Sequence, residues 1–341
     1  MIGIDISDRS VKVVRLSNRA DHKLLTHCWQ EVPLNVIEKG VIKDTKVMQE
    51  VLRHALQRCN LSWDSKDAVV ASIPETQSFL RVIEIPLMDE SEIGEAIQWE
   101  VAQHIPFGLE NVYIDWQPIH SGKPPTPGRH EVLVGAAEKS VVDPLLHVLA
   151  TIGLDIAAFE LESQAIVRSL VSRELEQHRG LLIVDLGGSA TNVVIYDRGT
   201  IRFTASLQKG SYSLLHPLTP TEAQAVTGPP KEIVEADRAM LASKLQAVHE
   251  ELVIEIQGIV EFYNGIDTNH QVKEIILTGG GANLPGFDQA VLKYFDNVLV
   301  HRGNPWVNIL PPGKDAHPPF GLLEAVHFST ALGLALRAAV K

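Results

Sequence analysis

Apolar and β-branched residues run almost unbroken over 2–16 and again over 181–199, and at both places the chain reads as a β-hairpin. In the second, LLIVDLGGSATNVVIYDRG, four apolar residues lead into Asp185. A small-residue turn follows at Gly187-Gly188-Ser189-Ala190, and Thr191 to Tyr196 is β-branched and aromatic. Two such runs joined by a glycine turn predict a hairpin. The first stretch, IGIDISDRSVKVVRL, repeats this pattern 180 residues earlier: Asp5 falls on Asp185, Ser7 on Gly187, Asp8 on Gly188, Ser10 on Ala190 and Lys12 on Asn192. A unit repeated in two halves predicts a duplicated fold with a cleft between its copies.

The remaining periodicities place other elements around these hairpins. A short strand is predicted near Lys23 to Trp29. Thr45 to Arg58 puts Val47, Val51, Leu52, Ala55 and Leu56 on one face, an amphipathic helix that Asp44 or Thr45 can cap. Ala68 to Ile73 is a buried strand ended by Pro74, and Phe79 to Ile85 alternates as a strand. Asp89 to Ile105 carries Ile93, Ala96, Ile97, Val101 and Ile105 at helical spacing, with Pro106 as its stop. Strands at Tyr113 to Ile119 and Val132 to Ala137 flank the Pro/Gly-rich loop Ser121 to Arg129, and Ser140 to Ile152 is a helix. Residues 74–150 thus have the composition of a small α/β unit set into the first half.

Ala157 to Glu176 is predicted helical, Ile201 to Leu207 a strand, and Thr219 to Pro230 at most a short helix. A long helix over Ile233 to Tyr263 and a buried strand over Lys273 to Thr278 follow, the strand running into Gly279-Gly280-Gly281. Phe287 to Phe295 is a helix, Val298 and Val300 mark a last strand, and Phe328 to Val340 is a terminal helix. The expected division is a first lobe over 1–73, completed by 151–180 and 328–341, an insert over 74–150, and a second lobe over 181–327.

Composition narrows the function. The chain has 341 residues, 45% hydrophobic and 21% charged, enough for two globular units. Its net charge of −12 argues against a nucleic-acid binder and against an anionic membrane as the main partner. Cys28 and Cys59 have no metal-like spacing, which predicts a reducing compartment and no disulfide scaffold. No basic segment precedes a long apolar run at the start, so a signal peptide is not expected. The apolar stretch from Leu145 to Phe159 is broken by His147, Thr151 and Asp155 and is too short to span a bilayer. The expectation is a cytoplasmic chain with no direct membrane insertion. The fourteen histidines include no HExxH-type spacing, so a metal enzyme is not expected.

Three features point to a nucleotide. Glycines let backbone N–H groups approach an anion, and a carboxylate beside them can hold Mg²⁺ through water. Two hairpins tipped by Asp5 and Asp185 could wrap phosphates from both halves, and the triple glycine could take the nucleoside. Neither GxxxxGK[ST] nor GxGxxG is present, so no P-loop or Rossmann fingerprint competes.

GIDIS…SVKVVRL, IVDLGGSATNVVIYDRG and ILTGGGANLPGF resemble the three nucleotide motifs of the actin/heat-shock/sugar-kinase superfamily. RVIEIPLMDESEIGEAIQWEVAQHIPF, Gly303-Asn304-Pro305-Trp306 and Ser329 to Ala335 resemble more narrowly the PilM family of actin-like proteins of type IV pilus assembly. The resemblance covers nearly the whole chain. It implies an α/β actin-like fold, ribonuclease H-like and duplicated into two lobes, with a small inserted α/β subdomain as in FtsA. It implies ATP and Mg as ligands. By carry-over, Asp5, Ser10 and Lys12 match the first phosphate motif, and Ser7 and Val11 beside them are expected at the cofactor. Asp185, Gly187, Gly188, Ser189 and Thr191 match the second, and Ala190 and, in the following loop, Gly210 are expected at the cofactor. Gly279, Gly280, Gly281 and Ala282 match the nucleoside motif. Asp5 and Asp185 are the expected Mg²⁺ carboxylates, and Glu162 or Gln164 the groups to position a water if ATP is hydrolysed.

The same resemblance implies a partner, the cytosolic N-terminal peptide of the inner-membrane protein PilN, received beside the insert. The pilus motor ATPases are candidates on the motor side. The chain would then lie at the inner face of the cytoplasmic membrane through a protein partner. Trp99, with Ile105, Pro106 and Phe107, is the expected contact. The apolar stripe of its helix reads as core, but an aromatic among charged positions can anchor a peptide. Some residues depart from the family pattern. Ser7 replaces a glycine, Asp8 is expected to add a negative charge toward the phosphates, and Lys209-Gly210-Ser211 lacks a double glycine. Glu222 is expected beside the adenine. These departures favour nucleotide binding over turnover. The alternative on the same fold is a small-molecule kinase or heat-shock-type ATPase.

Overall fold

The structure is a computed structural model that describes residues 1–18, 22–61, 67–102, 108–119, 127–172, 180–227, 233–266, 271–310 and 317–338. Strands β1 (Ile2–Ile6) and β2 (Ser10–Leu16) form the first hairpin, with Asp5 opposite Lys12, and β3 (Leu24–Glu31) extends it antiparallel. A short pair, β4 (Ile37–Glu38) and β5 (Val41–Ile42), leads to helix α1 (Thr45–Arg58). The Asp44 side chain accepts from the N–H groups of Lys46 and Val47, a cap contributing about 1 kcal/mol. Val51, Leu52, Ala55 and Leu56 face inward from α1 as the apolar spacing predicts, with Met48 fully buried beside them and Val47 half-buried. Strand β6 (Val69–Ile73) then returns parallel to β1.

The next elements are β7 (Ser78–Pro86), α2 (Glu90–Ala102), β8 (Val112–Pro118), β9 (Arg129–Glu138) and α3 (Lys139–Thr151). The three strands form their own antiparallel sheet in the order β7-β9-β8. Ile93, Ile97 and Val101 of α2 are buried against its Ile83, Ile85, Val132 and Val134. Strand β10 (Ile156–Leu161) rejoins the first sheet parallel to β6, and α4 (Glu162–Leu170) follows it.

Hairpin β11 (Gly180–Leu186) and β12 (Thr191–Asp197) opens the second sheet, with Asp185 opposite Asn192. It is extended by β13 (Thr200–Leu207), and α5 (Ser211–Leu214), α6 (Pro220–Val226) and α7 (Glu235–Ile266) follow. Strand β14 (Val272–Thr278) runs parallel to β11, with α8 (Phe287–Tyr294) and β15 (Leu299–Arg302) after it. Helices α9 (Leu322–Ala325) and α10 (Ser329–Arg337) end the described chain, α10 packing on β1, β2, β6 and α4.

The two five-stranded sheets have one topology. The first is ordered β3-β2-β1-β6-β10 and the second β13-β12-β11-β14-β15, each an antiparallel three-stranded meander followed by two parallel strands. Asp5 pairs with Lys12 in one, and Asp185 with Asn192 at the equivalent register in the other. The repeat seen as an offset in sequence is therefore a repeat in three dimensions.

Two expectations are corrected here. Residues 157–161 are a strand, not the start of a helix. The Glu160 carboxylate, which would suit a helix, instead takes two guanidinium groups, from Arg168 and Arg337, and the backbone pairs with β6. Cys28 and Cys59 are joined as a disulfide, with Cα atoms 5.4 Å apart. Helix α1 crosses over β3 and brings its end to Cys28, a proximity that a separation of 31 residues does not signal.

Candidate functional site

The carboxyl ends of the parallel strands in both sheets converge on one cleft of about 470 Å³. Open α/β sheets place ligands at such ends. Asp5 arrives from β1, Glu162 just after β10, Asp185 from β11, and Gly279 after β14. The turn residues Ser7, Gly187, Gly188, Ser189 and Ala190 line the cleft from the two hairpins, with Ser10 and Lys12 from β2. Gly280 and Gly281 complete the opposite wall.

Charge in the cleft is tightly arranged. Lys12 Nζ lies 2.9 Å from Asp5 Oδ2, the pairing that the hairpin register dictates. Burial alone would lower the Lys12 pKa, but Asp5, with Asp185 and Glu162 behind it, raises it. Burial pushes Asp185 up to about 6; Lys12 opposes the rise, while Asp5 and Glu75 add to it. Glu162 is pushed well above the ordinary carboxylate range by burial and then by Asp5, Asp185 and Glu75. Its Oε2 accepts from Asn192 Nδ2 at 2.9 Å and from the Glu75 N–H at 3.3 Å. Glu75 Oε2 in turn accepts from the Ser163 N–H, and burial raises the Glu75 pKa as well.

Gly279 has φ +79°, and a Cβ there would collide with Asp185 Oδ1 and with the Leu186 carbonyl. The triple glycine therefore has two uses: it makes the turn after β14, and it leaves room for the Asp185 carboxylate. His327 packs edge-on to Gly280, and burial followed by Lys12 lowers its pKa to about 4, so it presents a neutral ring. Asn283 Nδ2 lies 3.3 Å from His327 Nε2.

Asp8 lines the cleft but is not directed as a bare charge at it, which corrects the sequence expectation. Lys39 and Gly40 are consecutive left-handed residues (φ 51° and 81°). Their N–H groups donate to Asp8 Oδ2 at 2.9 Å and Oδ1 at 2.8 Å. Successive amides of this kind form a nest that holds an anion, and here the anion is the protein's own carboxylate.

Among the expected site residues, Val11, Gln164, Thr191, Gly210 and Ala282 do not line the cleft. Val11, Thr191 and Ala282 are fully buried on the inner faces of their elements. Gly210 instead caps α5, and its loop is tied to the second hairpin by the Thr191 hydroxyl, which donates to the Lys209 carbonyl. Glu222 forms a capping box with Thr219 and pairs with Lys244, so α6 contributes Val226 to the cleft, with Thr227 just beyond it. Glu75, His327, Arg9 and Tyr212 belong to the site or its rim and were not singled out in sequence. Glu75 was within reach: it follows a predicted strand whose carboxyl end had to face the cleft. Among the described residues no group of three or more His, Cys, Asp or Glu is disposed to hold a metal, and Asp5 is already ion-paired, so Mg²⁺ at Asp5 and Asp185 fits only through water.

Strand β13 connects this cleft to the three-stranded sheet. Alternate residues on one face hold three partners. Ser206 Oγ donates to Asn192 Oδ1 at 2.8 Å, the Thr204 hydroxyl bonds to the Glu75 carboxyl, and Arg202 Nη1 donates to Glu131 Oε1 at 2.6 Å. The Arg202–Glu131 pair is nearly sealed, with side chains 4% and 8% exposed.

Trp99 of α2 is 78% exposed, while Ile93, Ile97 and Val101 of the same helix are buried against the three-stranded sheet. Ile105, Pro106 and Phe107 lie outside the described residues. Among the described residues no helix is long and apolar enough to cross a membrane.

The sequence profile of the family described as Type IV pilus assembly protein PilM matches residues 3–339. Among solved structures, a PilM-PilN type IV pilus biogenesis complex is similar at 22% identity, covering 100% of this chain and 98% of that one with a TM-score of 0.81. Ethanolamine utilization protein EutJ from Carboxydothermus hydrogenoformans is similar at 15% identity, covering 98% of this chain and 88% of that one, with a TM-score of 0.58. At these identities the likeness shows a shared fold.

Proposed function

The chain belongs to the PilM family of type IV pilus assembly proteins and has its two-lobed, actin-like α/β fold, and from that premise we propose a nucleotide-holding scaffold whose inserted unit takes the cytosolic N-terminal peptide of a PilN-type membrane protein. The observation that carries the peptide reading is the end-to-end likeness to a PilM that was solved in complex with PilN. The exposed Trp99 on α2 supports the location, because large aromatics anchor peptides in desolvated contacts. The proposed insert spans 74–150 within lobes built on the two five-stranded sheets. Held by its partner, the chain would work at the inner face of the cytoplasmic membrane.

The cleft fits a nucleoside polyphosphate on three observations. Glycine cradles stand on both walls. Asp185 has room beside Gly279, where a Cβ would intrude. Arg9 Nε is buried at the rim without a hydrogen-bond partner. In this reading Asp185 holds Mg²⁺ through water and Lys12 neutralises Asp5. Burial and three neighbouring carboxylates raise the Glu162 pKa, and its Oε2 is held by Asn192 and the Glu75 N–H. In this reading the departures at Ser7 and at Lys209-Gly210-Ser211 favour binding over turnover.

Trp99→Ala tests the peptide site. The exposed position should leave unfolding free energy within about 0.5 kcal/mol of the native value. Affinity for a synthetic PilN N-terminal peptide, measured by calorimetry, should fall about tenfold or more. Unchanged affinity in the folded variant would remove α2 from the site.

A further inference from the structure

Arg9 is a charged group at the cleft to which neither the sequence motifs nor the fold assigns a task. It stands in the turn between β1 and β2 and reaches over to the second hairpin. Its guanidinium carbon lies 4.7 Å from the centroid of the Tyr212 ring on α5. Its Cγ is 3.1 Å from the place a Cβ on Gly188 would occupy, so the side chain lies directly on the second phosphate turn. Its Nε is buried and unbonded, and among the described residues no carboxylate pairs with the guanidinium.

Other charges close by are already engaged. Asp5 has Lys12, Asp8 has the two amides of the Lys39–Gly40 nest, and Lys209 on the loop below has Glu255. A buried guanidinium donor left without an acceptor is costly, and an aromatic face compensates it less well than an oxyanion does. Arg9 is thus held where a ligand oxyanion between the two hairpins would meet it.

We propose that Arg9 is the phosphate-contacting cation of this cleft: it rests on Tyr212 and forks onto the phosphates of a bound nucleoside di- or triphosphate, supplying from the first hairpin what the Ser7 turn lacks. This rests on the nucleotide reading above. An arginine is suited to the task because its planar fork matches two phosphate oxygens at once.

The test is calorimetric titration of ATP, ADP and AMP, with Mg²⁺, into the full chain and into Arg9→Ala, Arg9→Lys and Arg9→Gln. The glutamine variant fills similar space without charge and keeps the test alive if alanine does not fold. Loss of the contact should cost ATP about ten- to a hundredfold in affinity, ADP less, and AMP no more than about twofold. Lysine should fall between native and alanine. An equal loss for all three nucleotides would overturn the proposal and leave Arg9 as a latch between the lobes. Unchanged ATP affinity in folded Arg9→Ala would overturn it as well. If the native chain itself binds none of the three, the nucleotide reading fails, and the Arg9 proposal fails with it.

Discussion

Asp185→Asn is expected to make the protein more stable above about pH 6 and worse at holding nucleotide. The unfolded carboxyl titrates near 3.8, whereas burial, only partly offset by Lys12, raises the folded group to about 6. The folded state therefore holds the extra proton between these values, and its stability falls as pH rises through that window. Above it, the ionised side chain costs the native state on the order of 3 kcal/mol, a cost the neutral amide does not carry. Urea unfolding should show little difference between the two proteins near pH 4 and an advantage for the variant of about 2–3 kcal/mol above pH 6. Because Asp185 also helps to raise Glu162, part of the gain comes from easier ionisation of that neighbour. Affinity for ATP with Mg²⁺ should drop at least about tenfold, as a water-bridged cation loses a carboxylate. A variant no more stable than native above pH 6 would mean that Lys12 already compensates Asp185 in full. Function at this position is held against stability, as sites that must bind charge commonly are.

Arg202→Leu is expected to be the most damaging single change to the join between the three-stranded sheet and the second lobe. It leaves the Glu131 carboxylate buried with no cation, and breaking a sealed pair from one side costs about 3–5 kcal/mol. The double variant Arg202→Leu/Glu131→Leu should recover most of that loss, because two apolar side chains need no compensation. Denaturant unfolding of the two singles and the double decides this. A single substitution costing under about 1 kcal/mol would mean that water reaches Glu131. Since Thr204 and Ser206 of the same strand hold Glu75 and Asn192, the Arg202 variant should also weaken nucleotide binding, while the double should restore it in part.

Much of this architecture is legible in the chain because it is written twice. The offset between Asp5 and Asp185 foretells two hairpins in equal register, and the buried strands at 68–73 and 273–278 foretell the parallel partners of each. The convergence of Asp5 and Asp185 follows, since both stand at the ends of predicted strands; Glu162 joins them only because residues 156–161 are a strand where a helix is predicted. Other features depend on contacts with no local signature. The nest that holds Asp8 lies 31 residues on, at Lys39 and 32 at Gly40. Strand β10 has the alanines and the glutamate of a helix, yet sheet pairing and Arg337, 177 residues away, decide its state. The disulfide depends on where α1 ends above β3. Arg9 is plain in the sequence, but its significance appears only when Tyr212 and Gly188 are found beneath it.

The central claim, a scaffold that takes a membrane protein's N-terminal peptide beside the insert, is tested most directly by one calorimetric titration. A synthetic peptide with the N-terminal sequence of the cognate PilN-type protein is titrated into the intact chain with ATP and Mg²⁺ present. One site with a Kd of about 1 μM or tighter is expected. No detectable binding to folded, nucleotide-loaded protein would contradict it.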